Sequence, residues 1–124
     1  MKVIVAGSRT ITDYRAVEVI IDRSRFMITE FVSGAAPRGV DALGERYAVA
    51  HGFIPRLFPA DWDNLGKGAG FIRNQQMEEY SDALIAIWDG VSKGTMDMVN
   101  RMRKAGKPIQ LARVHIPTEI LHAR

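Results

Sequence analysis

A chain of 124 residues, 47% hydrophobic and 25% charged, has the size and balance of one water-soluble domain that buries a core without metal or disulfide staples. The absence of cysteine excludes disulfides, thiolate metal sites and a cysteine nucleophile. A net charge of +3, scattered apart from the run Arg101 to Lys104, is compatible with an anionic ligand and offers little for nucleic acid.

The opening MKVIVAG is too short for a signal segment or a membrane span, so a cytoplasmic protein without membrane contact is expected. The run KVIVAG predicts a first strand ending at Gly7. The stretch 13–27 predicts a helix, with Val17, Ile20 and Ile21 on one face and Asp13 as its N-cap. TEFVSG is a second strand. The stretch 38–52 is a second helix, with Val40, Leu43 and Tyr47 aligned and Gly52 as its stop. FIPRLFPA is a weaker strand, because Pro55 restricts it to a start or an edge. DWDNLGKGAG reads as a loop, FIRNQQMEEY as a helix and DALIAIW as a buried strand. TMDMVNRMRKAG is a helix ending at Gly106, and KPIQLA a last strand. The tail HIPTEILHAR is either a short helix or loose.

This alternation predicts a single α/β domain over 1–124: a mainly parallel five-stranded sheet between two helical layers, in strand order 3-2-1-4-5, with 109–124 supplying a last strand and tail. Sheets of this kind bind ligands beyond the carboxyl ends of their strands where the order reverses, here between the first and fourth strands. Three joints fall on that edge: GSRTITD, SGAAPRGVD and DGVSKGTMD. Each combines small residues with a hydroxyl and a basic side chain. Glycine permits close backbone approach, and unpaired N–H groups at a helix start suit a phosphate. Ser92, Lys93 and Thr95 would add donors. A plain strand-to-helix turn at Gly90 and Gly94, capped by Ser92 or Thr95, explains that one joint equally well; three converging joints favour a ligand site. The spacing matches neither a Walker A loop nor G-x-G-x-x-G. Arg73 could clamp a phosphate or carboxylate, Asn74 could read a base or sugar edge, and Trp62 is either a stacking surface or core. The histidines His51, His115 and His122 show no metal spacing, so neither a metal nor a cofactor is expected. Met77, Met96, Met98 and Met102 sit at helical spacing and read as core.

The ordered set Gly7-Ser8-Arg9, Ser33-Gly34-Ala35 with Gly39 and Asp41, Ala69-Gly70 with Arg73-Asn74, and Asp89-Gly90 with Ser92, Gly94 and Thr95 resembles the SLOG superfamily, and within it the small YspA-related branch. The connector FPADWDNLGKGAG adds to the likeness, which spans roughly residues 1–110. That superfamily is Rossmann-like and contains the LOG phosphoribohydrolases and the DNA-processing protein DprA. The resemblance implies a pocket for a nucleotide or nucleotide-derived small molecule, in a bacterial or phage protein. In LOG enzymes an arginine and a glutamate serve cleavage of the N-glycosidic bond of a nucleoside 5′-monophosphate. Arg73 matches that arginine, whereas Met98 stands where the glutamate would be; Asp97, one residue earlier, points about 100° away on a helix.

The first expectation is therefore a sensor or carrier. Its phosphate would lie on Gly90–Thr95 and Gly7–Arg9, with Ser8, Arg9 and Arg73 matching the charge. Gly34, Ala35 and Lys93 belong to the same loops, and Asp41, Asp61 and Asn74 would contact sugar or base. The alternative is a LOG-type hydrolase with Arg73 and Asp97 as its catalytic pair; Asp41, Asp61 and Asp89 are further candidates for the carboxylate such chemistry needs. Asp41 also suits a helix start, and Asp61 a loop cap. A DprA-like nucleic-acid role has only mild basicity behind it. Apolar residues such as Phe26, Phe71 and Tyr80 suggest a homo-oligomer, unless they are ordinary core.

Overall fold

The computed structural model describes residues 1–115; the tail 116–124, with His122, lies outside them. Strands β1 (Lys2–Gly7), β2 (Glu30–Ser33), β3 (Arg56–Leu57), β4 (Ala83–Trp88) and β5 (Ile109–Arg113) form one parallel sheet in the order β3-β2-β1-β4-β5. This is the expected Rossmann-like arrangement. Helices α1 (Tyr14–Asp22), α2 (Val40–Ala50), α3 (Trp62–Leu65), α4 (Ala69–Tyr80) and α5 (Lys93–Lys104) complete it.

The sheet carries two apolar faces because successive strand residues point to opposite sides. Val3 and Val5 of β1 with Ile85 and Ile87 of β4 pack against α1 and α2 through Val17, Ile21, Val40 and Tyr47. Ile4, Ala6, Leu84 and Ala86 face the other way and meet α4 and α5 through Met77, Met98, Val99 and Met102. The methionines thus fill the core on that side. β3 lies at the sheet edge, as Pro55 allows, but spans two residues rather than the stretch 53–60.

Two further elements depart from expectation. α1 ends at Asp22 rather than running to Met27. The Arg23 N–H closes the last turn on Val19 and Ile21, and the Ser24 hydroxyl accepts from the Phe26 N–H, offering the backbone a turn in place of helix. Phe26 then packs on the core from the loop. The stretch after Ala60, expected as a loop, forms α3 and a 3₁₀ turn at Gly66–Gly68. Asp61 starts α3: its carboxylate accepts from the Asn64 N–H at 3.3 Å and from the Asn64 amide at 3.0 and 3.2 Å.

Of the three aromatic residues that suggested an oligomer, Phe26 and Tyr80 are partly buried against the two cores, and Phe71 alone is exposed. Among the described residues, no helix is long and apolar enough to cross a membrane.

Candidate functional site

The three joints meet at the carboxyl ends of β1, β2 and β4. Gly7 makes this contact possible: it pairs with Ile87, and a Cβ there would lie 2.1 Å from the Ile87 carbonyl. The next residue ties two joints together, because the Ser8 N–H donates to the Ile87 carbonyl (3.1 Å) and its hydroxyl accepts from the Asp89 N–H (3.0 Å). Asp89 in turn accepts from Thr10 Oγ1 (2.8 Å), the Val91 N–H (2.8 Å) and the Ser92 N–H (2.9 Å). Partial burial pushes its pKa up, but these donors outweigh burial and hold it at about 2. The opening joint of β4 is therefore a braced turn. Ser92 caps α5, its hydroxyl meeting the Thr95 N–H at 3.4 Å and Thr95 Oγ1 at 3.0 Å.

The second joint is built around Gly39. It sits at φ 78°, ψ −152°, a conformation essentially reserved for glycine, and a Cβ there would fall 2.3 Å from the Arg9 Cα. Ala35 is held in the left-handed region at φ 61° by the Ser33 hydroxyl, which accepts from its N–H at 3.1 Å. Asp41 Oδ2 accepts from the following Ala36 N–H at 3.1 Å.

Between these joints and α4 lies a cavity of about 320 Å³, within the size range of small-molecule sites. Its lining combines the polar and charged side chains of Arg9, Asp41, Lys67, Arg73, Ser92 and Thr95 with the apolar ones of Trp62, Phe71, Met77 and Met98. Arg73 is fixed at both ends: Nη1 donates to the Gly34 carbonyl, and Nε donates to Asn74 Oδ1 at 3.0 Å. Gly34 has to be glycine for this, since a Cβ would stand 2.6 Å from Arg73 Nη1 and 3.0 Å from Asp41 Oδ2. Burial lowers the Arg73 pKa; the Asp41 charge opposes the shift and Arg9 reinforces it. Asp41 is 7% exposed. Burial pushes its carboxyl up to about 6, against the pull of the Ala36 N–H, Arg73 and Arg9, while Glu45 adds to the rise.

Eight of the predicted residues line the cavity: Gly7, Arg9, Asp41, Arg73, Asn74, Ser92, Gly94 and Thr95. Seven do not. Ser8 and Gly90 serve the turn, Gly90 at φ 92° against the Arg113 guanidinium. Gly34 and Ala35 shape the loop that holds Arg73 and Asp41, and Lys93 is exposed at the start of α5. Asp61 caps α3. Asp97 is turned to Asn74 and Arg101, while its neighbour Met98 faces the cavity, as the helical offset requires. Reading from sequence missed Lys67, Phe71 and Ala36 as wall residues. Only the GKGAG run hinted at Lys67, and that hint depended on recognising α3. Among the described residues, no three histidine or acidic side chains gather as metal ligands would.

Comparison with known proteins agrees with this architecture. A family model described as YAcAr, the YspA, cpYpsA-related SLOG family, matches residues 1–64. The chain is 34% identical over 118 residues to the Gene 61 protein of Mycobacterium phage D29, an alignment covering 87% of this chain and 93% of the phage protein. No solved structure matches it. On the family match and this relative, whose alignment also spans the joints beyond residue 64, the chain belongs to the YspA, cpYpsA-related SLOG family.

Proposed function

We propose that this protein binds a nucleotide or nucleotide-derived small molecule at the cavity between β1 and β4, acting as a sensor or carrier. The observation that carries the reading is that one cavity lining brings three cationic side chains together with the rings of Trp62 and Phe71. Arg9, Lys67 and Arg73 share the lining with Asp41, its one acidic side chain among the described residues, and with Ser92, Gly94 and Thr95 at the start of α5. Guanidinium groups and free helix N–H groups suit a phosphate. Trp62, half exposed beside Gly70, offers a flat surface on which a base could stack. Family membership supports a nucleotide-related role.

The test is a panel of nucleoside mono-, di- and triphosphates by thermal shift and calorimetry, together with mass spectrometry of any small molecule released from the purified protein. Arg73→Ala is expected to weaken the best ligand about 10- to 100-fold, the range for charge-assisted hydrogen bonds. Gly34→Ala, which pushes Arg73 from its seat at the flexible end of that side chain, is expected to cost about tenfold with little loss of stability. No binding by any nucleotide at millimolar concentration would refute the reading.

One observation favours hydrolysis as a second reading. Among the described residues Asp41 is the one carboxylate lining the cavity, so it, rather than Asp97, has access to a bound sugar. Co-purified intact nucleotide supports the carrier. Free base or ribose phosphate, formed by the protein and lost in Asp41→Asn, would select the hydrolase.

A further inference from the structure

Asp97 lies outside the cavity wall but is wired to it. Its Oδ2 accepts from Arg101 Nε at 2.8 Å and from Asn74 Nδ2 at 3.0 Å. The same Asn74 nitrogen donates to the Gly94 carbonyl at 3.2 Å, and Asn74 Oδ1 accepts from Arg73 Nε at 3.0 Å. An Asp97–Arg101 pair one turn apart on α5 would ordinarily be a surface ion pair of little consequence. Here the carboxylate is shared with an amide that is 4% exposed and belongs to another helix.

The chemistry of that amide decides what the sharing does. An asparagine amide has an accepting end and a donating end, and flipping it exchanges them. In the observed orientation its nitrogen meets two acceptors and its oxygen meets a guanidinium. Flipped, the nitrogen would face the Arg73 N–H, and the oxygen would face a carbonyl and a carboxylate. The Gly94 carbonyl alone is a weaker selector, because it is neutral; the Asp97 charge makes the choice firm. Arg101 keeps the carboxylate turned toward Asn74.

We propose that Asp97, held by Arg101, is a positioning residue that aims the Arg73 guanidinium into the cavity by fixing the Asn74 amide. The role in ligand binding rests on the proposed function above; the aiming of Arg73 does not.

The experiment therefore has a ligand-free arm. Proton exchange at arginine Nε is followed by NMR in the full chain, with the Arg73 signal assigned by its loss in Arg73→Ala. Asp97→Ala is expected to speed exchange at that Nε–H about tenfold or more, as a released hydrogen bond should. Asp97→Asn, whose neutral carbonyl can still accept from Asn74 and Arg101, should give a rate between the native one and that of Asp97→Ala. Backbone amides of α4 should keep their protection in both variants. Unchanged Arg73 Nε–H exchange in Asp97→Ala would overturn the proposal, and so would an equal loss of protection throughout α4.

The second arm is a double-mutant cycle using adenosine 5′-monophosphate as probe, read by calorimetry. Asp97→Ala should weaken binding about fivefold to tenfold in the native background and leave it unchanged in the Arg73→Ala background, since coupled residues are not additive. Equal losses in both backgrounds would overturn the aiming role. If adenosine 5′-monophosphate does not bind, or if Arg73→Ala leaves its affinity untouched, the binding reading suffers while the exchange arm still decides the inference.

Discussion

Gly39→Ala is expected to cost about 3–5 kcal/mol of stability, the range in which steric and backbone-strain mutations become diagnostic. Two effects combine. At φ 78°, ψ −152° a residue with a Cβ is strained by itself. The added carbon would also stand 2.3 Å from the Arg9 Cα and 2.6 Å from the Ser8 carbonyl oxygen. Both are backbone atoms, so relief requires moving the joint after β1 away from the start of α2. The Ser8 carbonyl accepts from the Ile11 and Val40 N–H groups, and that movement would loosen both bonds. For a chain of this length the loss corresponds to a fall in Tm on the order of 10–20 °C. Thermal unfolding followed by circular dichroism measures it. A fall below 3 °C would mean the joint is softer than its contacts indicate. Gly34→Ala is the natural control, since the nearest atoms to its added carbon are side-chain atoms of Arg73 and Asp41 rather than backbone.

The second large effect is a pH dependence centred on Asp41. Its pKa in the folded chain stands at about 6, above the ordinary value of 3.8. A carboxyl raised in this way favours the fold fully below its unfolded pKa, and that advantage is lost as pH rises through the folded pKa. The ligand-free protein should thus lose up to about 3 kcal/mol of stability from this group between pH 4 and pH 7. Asp41→Asn removes the charge but retains an oxygen for the Ala36 N–H. The variant should therefore be more stable than the native chain at pH 7, with the gap closing toward pH 4. Asp89 works in the opposite sense, its pKa of about 2 giving stability that disappears as acid protonates it; it is present in both proteins and cancels in the difference. Denaturant titrations of both proteins at several pH values are the measurement. A stability difference that is flat with pH would show that Asp41 has no special environment. If the carboxylate is kept for a ligand, the native chain should regain the lost stability when ligand binds, and the variant should not.

What the sequence discloses follows from the range over which each interaction acts. The strands and the faces of α2 and α5 are legible because alternation and helical spacing are local patterns imposed by one continuous core. The edge position of β3 is legible from Pro55. The convergence of the three joints follows from strand order, and six candidate residues reach the cavity for that reason, while Arg73 and Asn74 reach it from α4. The division of labour within each joint is not local. Ser8 turns to Asp89 across a separation of 81 residues, so its hydroxyl, expected beside a ligand, braces the backbone instead. Lys67 joins the cavity lining from the turn after α3, in a glycine-rich stretch that reads as loop. Asp97 and Met98 lie on the sides that helix geometry assigns them, but the partner of Asp97 comes from α4 and is invisible to spacing.

The central position of β1 has a kinetic meaning as well. Its neighbour β2 follows within about thirty residues, whereas its other neighbour, β4, begins only at Ala83. A chain emerging from the ribosome can therefore join β1, β2 and β3 early, leaving one edge of β1 open and the Ser8 hydroxyl without Asp89. The late strand must close that edge across a long intervening loop, the slow kind of step in parallel sheets. Arg73 would be made before the turn at Ser92 that faces it, so the cavity is among the last features to exist. No fragment ending before α5 should form the complete cavity, however well its own helices form.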